Sequence, residues 1–596
     1  MTSEPHNRLR TWRGPLLAAC VGIAAVATFL QKAFHIDDVL YLAVARQILR
    51  DPLDPYGDVI RWEEEPESLF DADFNPPGWS YVLAAGIALA GESELALHIL
   101  EGLCVVLAAI GIYRLASLYT RYPLAATASL ILGPALLPGY NIMLEGPLTA
   151  LLAWTIYHLV MANRSAPIRR TALAACLSAA AVFVKYTAAV PLGAAWIGLL
   201  WRRNRGAWFV IGPAIVIAVW SAWSYCQYGR AHPIEILLRA QTSEREPMGI
   251  SLWESWGRIH GTIRGYGAVT TLAIPAAVLL LRLNPSLFLV VVLTGAVMSW
   301  VATEDLVIRT TMKGQGLRQG AVWWASPYLH AYAFAFLGTL ALAAVFLAYR
   351  RTGTTERSMP QPREDQGQEV LVLWNAAMLL FGVFGVPFLA VRHLAIGIIP
   401  ATILVYAYVE RQDEQNSSRF GRAAVYGATV LAVLLGLGLA DADRRFANWY
   451  REMALTKGHD AVQLGKKTGN TAWFFGHWGW VYYAESVGMR LYDPRTCDLK
   501  KGDIIVFPVI LTWKLEYLER PEVRDALQLA AHITPTTPNP LRTISREVHY
   551  YSGGSWNLPW QFSDLPMDDF LVYAVHRDVP RIGGKESTRR AIAPGL

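Results

Sequence analysis

Apolar runs of about 17–22 residues, parted by short polar loops, constrain this chain more than anything else in it. Such a run crosses the hydrocarbon core as a helix, because a helix satisfies every backbone N–H and C=O within itself. About thirteen can be marked, from 15–32 at the start to 422–440 at the end, with 122–139, 146–162, 171–189, 267–282 and 394–409 among them. The shorter segment 77–90 reads as a re-entrant or interfacial helix. The chain has 596 residues and is 54% hydrophobic. With a mean hydropathy of +0.28, it is too apolar for one soluble globule and too long for one domain. The fold class this predicts is an α-helical polytopic membrane protein.

Charge gives the orientation. The formal net charge is only +6. The arginines cluster in alternate loops: Arg164, Arg169 and Arg170; Arg202, Arg203 and Arg205; Arg350, Arg351 and Arg357; Arg411, Arg419 and Arg422. That pattern is the positive-inside signal of a multi-pass protein, not a nucleic-acid footprint. It places the N-terminus in the cytoplasm and the C-terminus outside, and suits a bacterial cytoplasmic (inner) membrane. The five cysteines contain no CxxC, which argues against a zinc site. The first run, behind Arg8, Arg10 and Arg13, reads as an uncleaved anchor rather than a signal peptide.

The predicted organisation is a membrane domain over 1–440, an extracytoplasmic α/β domain over 441–580 and a disordered tail over 581–596. In the second of these, 503–507 and 570–575 read as strands and 515–531 as helical. The polar insert 351–369 reads as a disordered cytoplasmic loop.

The chemistry-bearing residues gather at the outer ends of the spans. Asp37 and Asp38 follow the first run, and an amphipathic stretch with Leu40, Val44, Ile48 and Leu49 on one face comes next. Acids there either cap a helix and complement its dipole or serve chemistry on a lipid-borne substrate. Adjacent helical residues diverge by about 100°, so only one of the two can point into a given site. Asn75, in Asn75-Pro76-Pro77-Gly78-Trp79, either turns the chain or lines a site. Glu145 lies in the short outer loop between two spans, where a carboxylate is costly; the bland alternative is an N-cap-like acid before Pro147. Lys185, before Tyr186, interrupts an apolar run and either snorkels or meets an anion such as a lipid phosphate. Arg392 and His393 interrupt another run on the side that disfavours arginine, so Arg392 calls for a phosphate or an acidic partner. In 471–493, His477 and Trp478 sit among aromatics that suit either sugar stacking or a plain core.

In order, these motifs resemble the GT-C superfamily of polyprenyl-phosphate-sugar glycosyltransferases, which includes protein O-mannosyltransferases and lipid A aminoarabinose transferases. The resemblance spans about residues 10–410, and the ordered set of motifs carries it. It implies a GT-C fold and a sugar donor on a polyprenyl phosphate. The acceptor it implies is an extracytoplasmic hydroxyl on an envelope glycolipid, polysaccharide or protein, with inversion at the anomeric carbon. It further implies Asp37 as the catalytic acid with Asp38 beside it, Glu145 as the second-loop acid, and Lys185 and Arg392 as donor-phosphate contacts. Two positions depart from the pattern: Asp38 stands where Glu is common, and His393 where Tyr is usual. A divalent metal held by Asp37 and Glu145 is an open alternative. So are two other functions, a transporter or flippase for lipid-linked sugar and a non-catalytic envelope assembly protein. Asp37→Ala separates these, since an enzyme loses turnover and a scaffold is unaffected.

Overall fold

The computed structural model describes residues 5–581, apart from 62–65, 163–166, 243–251, 313–321, 353–366, 387, 416–418, 511–517, 519, 546–547 and 552–556. Residues 353–366 of the insert 351–369, all but the first residue of the expected tail 581–596, and the start of the expected helix 515–531 lie outside the described residues.

Among the described residues, eight helices are long and apolar enough to cross a membrane, and one bent pair of helices passes the same test together, as a broken span or a re-entrant loop. Three shorter apolar helices, Gly78–Ala90, Tyr186–Trp201 and Gln368–Phe384, add to them. The chain is thus a multi-pass helical membrane protein, as the periodicity of its runs predicts.

The expectation of about thirteen spans is corrected in two places. The run 122–139 is not one helix: Pro123–Ile131 ends at Leu132, and a 3-10 turn over Leu137–Gly139 follows. Gly133, Pro134 and Pro138 supply the breaks. The run 267–282 is the second half of a bent pair, Ser255–Val269 and Ala273–Leu283, which meet at 97°. The expected outer loops are also more helical than their polarity suggested, since His232–Thr242 and Leu252–Val269 are both helices.

Seven helices position the site: α1 (Pro5–Phe29), α2 (Asp38–Arg50), α3 (Gly78–Ala90), α4 (Glu94–Ala116), α5 (Glu145–Ala162), α6 (Pro167–Val184) and α7 (Val391–Gln415). α2 forms because its apolar face, with Leu40, Tyr41, Val44, Ala45 and Ile48, is buried while Arg46, Leu49 and Arg50 face outward. α4 begins at Ser93, whose hydroxyl accepts from Ala96 N at 3.2 Å. α7 is apolar all round from Leu394 to Val409 and is buried almost throughout, the expected fate of such a helix. Glycine permits the closest approach of two of these elements: a Cβ on Gly78 would lie 2.2 Å from Phe183 O, so α3 can press on α6 only without one.

α8 (Phe420–Met453) runs straight through residue 441 into the C-terminal region. There a five-stranded mixed sheet forms from β1 (Ala472–Phe474), β2 (Arg490–Leu491), β3 (Ile504–Pro508), β4 (Leu527–Ile533) and β5 (Phe570–Val575), in the order β2-β1-β3-β5-β4. β1 is parallel to β2 and β3; β5 is antiparallel to β3 and β4. The two expected strands are β3 and β5. The helical reading of 515–531 is corrected at its end, where Leu527 opens β4. This edge strand is more than half exposed and pairs antiparallel with β5, with an irregularity between Leu529 and Ala531. A short helix, α9 (Gly479–Ser486), follows β1.

Candidate active site

Four of the predicted charges meet as two ion pairs, and all four stand at helix ends. Arg392 is the second residue of α7, where the helix dipole disfavours a cation, so it needs an anion. Asp37 supplies it: its Oδ2 accepts from the Arg392 guanidinium at 2.7 Å. Lys185 follows the last residue of α6, and Glu145 is the first of α5; both positions suit their charges. Lys185 Nζ donates to Glu145 Oε1 at 2.6 Å, with both side chains 8% exposed. The pairs form one cluster, since Arg392 interacts electrostatically with Glu145 as well as Asp37, and Lys185 with Asp37.

Capping does not explain Asp37. It is the N-cap of α2, yet its side chain makes no capping bond. Asp38 takes the structural part: Oδ2 accepts from His35 N at 2.7 Å and the residue is fully buried. Here the 100° between neighbouring positions is visible directly, with one acid in the charge cluster and the other closing its own turn.

Around the pairs, Tyr41 lies one turn after Asp37, and its hydroxyl accepts from Asn75 Nδ2 at 3.4 Å. Asn75 N donates to Asp73 Oδ1 at 2.9 Å. Burial pushes the Asp73 carboxyl up to about 8, against the hydrogen bonds from Asn75 and with a further push from the charge of Asp37. Tyr186 lies in an aromatic cluster: its hydroxyl meets His232 Nδ1 at 2.8 Å and accepts from Trp220 Nε1 at 2.8 Å. His393 is buried beside Phe388, with ring centroids 5.4 Å apart. His477 is buried in the loop after β1, and Trp478 stands edge-on to His549 at 5.3 Å.

Three residues that the sequence reading passed over join the C-terminal region to this site. Lys32, just past α1, pairs with Asp443 of α8 at 2.5 Å. Tyr551 donates to Asp443 Oδ2 at 2.7 Å, and Asn141 Nδ2 donates to the Tyr551 hydroxyl at 3.3 Å. The preceding residue, Tyr550, accepts at its carbonyl from Val391 N at 3.3 Å, one residue before Arg392. The available signals were a lysine just past the first apolar run and an acid within a largely apolar helix.

Among the described residues, no group of three or more His, Cys, Asp or Glu side chains is arranged to hold a metal ion. Asp37 and Glu145 each face a cation, so the cluster fits an incoming anion better than a metal.

Residues 75–225 match the family described as dolichyl-phosphate-mannose-protein mannosyltransferase. That match covers about a quarter of the chain. That stretch holds Asn75, Glu145, Lys185 and Tyr186, so the family resemblance read from the sequence is met there. Among solved structures, the chain is similar to ArnT from Cupriavidus metallidurans bound to undecaprenyl phosphate, at 12% identity over 94% of this chain and 97% of that one, with a TM-score of 0.37. The apo form of the same protein gives 11% identity over the same shares and a TM-score of 0.38. No curated protein matches.

Proposed function

We propose that this protein is a GT-C glycosyltransferase that moves a sugar from a polyprenyl phosphate to an extracytoplasmic hydroxyl, with inversion. The observation that carries the reading is the pair of ion pairs, Asp37–Arg392 and Glu145–Lys185, joined in one buried cluster. The family match over 75–225 supports it, because Glu145 and Lys185 lie within that stretch.

In the cluster each cation is held by a carboxylate. A donor phosphate brings oxygens that compete for Arg392 and Lys185 through charge-assisted bonds. As Arg392 turns toward the phosphate, the Asp37 carboxylate is freed from its ion pair to meet the acceptor. Asp37 Oδ2 then takes the proton of the acceptor hydroxyl as that oxygen attacks the anomeric carbon from the face opposite the phosphate. The C–O bond to the phosphate breaks, and the polyprenyl phosphate leaves with the electron pair. Arg392 and Lys185 stabilise the charge that develops on it. Glu145 keeps Lys185 in place between turnovers, and Asn75, Tyr186, His393, His477 and Trp478 line or support the surrounding space. The acceptor is an envelope glycolipid, glycan or protein.

The test is transfer from radiolabelled polyprenyl-phosphate sugars, mannose and aminoarabinose among them, to a crude envelope fraction by the protein in lipid nanodiscs. Wild type transfers label, and Asp37→Asn is slower by about 10²–10⁴-fold. Equal transfer by both removes Asp37 as the base.

A further inference from the structure

The segment that carries Asp37 is held by the C-terminal region. Ile36, the residue before it, has φ +49°, a left-handed conformation that a β-branched side chain resists. Such a residue persists only where its surroundings over-determine it. The surroundings here are explicit. Phe34 N donates to the Tyr483 hydroxyl of α9 at 2.8 Å, and Ala33 N donates to Asn448 Oδ1 of α8 at 2.9 Å. A Cβ on Gly479 would lie 2.0 Å from Phe34 O, so α9 packs directly on the backbone of this turn. The Phe34 ring stands edge-on to Tyr482 at 5.0 Å.

α9 is in turn fixed from the other side. Tyr483 donates to Glu94 Oε1 at 2.6 Å, and Tyr482 to Glu92 Oε1 at 3.0 Å, both acids at the start of α4. Glu94 is also paired with Arg451 of α8. The residue before Gly479, Trp478, is itself left-handed at φ +59°. Two non-glycine residues at positive φ thus flank one contact, that between the Phe34 carbonyl and Gly479.

We propose that α9 is a clamp: Gly479 and Tyr483 fix the Phe34–Ile36 turn and so aim the Asp37 carboxylate at the charge cluster. Tyr483 and Gly479 are positioning residues, acting through the backbone of the turn. α9 then contributes to the chemistry through the backbone of the turn. The clamp deepens the reading of Asp37 as the base and rests on it for its effect on rate, whereas its effect on the turn is independent of that reading.

The experiment uses the full-length protein in nanodiscs, with Tyr483→Phe, which keeps the ring and removes the hydroxyl. Val523→Ala is the control, since Val523 is buried in the second core of the C-terminal region, apart from the clamp. Amide hydrogen exchange over 33–41 is read first. It is expected to quicken about tenfold or more in Tyr483→Phe and to stay unchanged in Val523→Ala; unchanged exchange in Tyr483→Phe overturns the clamp. Transfer from the labelled polyprenyl-phosphate sugar that the wild type turns over is read second. Tyr483→Phe is expected to lose about 10–100-fold in kcat with KM for donor within about twofold. A loss in Tyr483→Phe no larger than that in Val523→Ala at the same shift in unfolding temperature overturns the positioning role. Full activity in Asp37→Asn removes the base and leaves the exchange result to decide the clamp by itself.

Discussion

At the scale of single residues, burial decides how the charges behave. Glu145 and Lys185 are both nearly enclosed, and each is the other's hydrogen-bonded ion partner. Removing one strands the other in a low-dielectric site. Glu145→Gln or Lys185→Met is therefore expected to cost about 3–5 kcal/mol of stability, while the double replacement Glu145→Leu with Lys185→Met regains much of it and stays inactive. Thermal unfolding in detergent together with the transfer assay checks both statements. Asp73 gives a pH dependence. Its folded carboxyl titrates near 8, far above the usual carboxylate value near 3.9. Between about pH 4 and 8 the folded state therefore holds a proton that the unfolded state has lost. Stability falls as pH rises through that window, by at most about 1.4 kcal/mol per unit. Asp73→Asn, which keeps the acceptor for Asn75 N, is expected to flatten that slope and to be the more stable form at pH 8. Unfolding measured from pH 5 to 8 reads it.

At the scale of elements, close backbone approaches set where the site residues point. α3 touches α6 at Gly78 against Phe183 O, two residues before Lys185. Gly78→Ala must push the helices apart, because the obstacle is backbone and cannot rotate away. It is expected to cost about 1–3 kcal/mol and to lower transfer by about 10²-fold through displacement of Lys185. A second contact of the kind is at Gly146, where a Cβ would lie 1.9 Å from Glu101 Oε1. There the obstacle is a side chain that can move, so Gly146→Ala is expected to be the milder of the two in the same assays. The sequence shows both glycines, yet nothing in it shows what they face. Periodicity likewise found most of the spans, because long apolar runs depend on local composition alone. It failed at 122–139, where Gly133, Pro134 and Pro138 break the run, and at Leu527–Ile533, which pairs with β5 as an edge strand.

At the scale of the whole molecule, the membrane helices and the C-terminal region share one buried core, which runs from α1 to β5. Lys32, Asp443 and Tyr551 are its polar centre. Tyr551 donates to Asp443 with its hydroxyl also 2.8 Å from Pro138 O, and Thr543 donates to the other oxygen of Asp443. A network in which each member is satisfied is worth more intact than in parts. Tyr551→Phe is expected to lower stability by about 1–3 kcal/mol and to lower it for both regions together. A single unfolding transition, seen by tryptophan fluorescence and by proteolysis of the C-terminal region, is the expected record. Two separated transitions would show the regions to be independent.

The sequence alone determined that this chain lives in a membrane, because each helix must satisfy its own backbone there and the composition of each run records it. It also determined which charges were out of place, since a charge in an apolar run or on the wrong side of the membrane is conspicuous without any fold. That singled out Asp37, Glu145, Lys185 and Arg392. What only the tertiary structure decided is how they combine. Asp37 meets Arg392 across 355 positions of chain and Lys185 meets Glu145 across 40, and no local pattern specifies partners at such separations. The same holds for the choice between Asp37 and Asp38, which turned on the direction of one helix start, and for α9, whose grip on that start exists only where the chain's two ends meet.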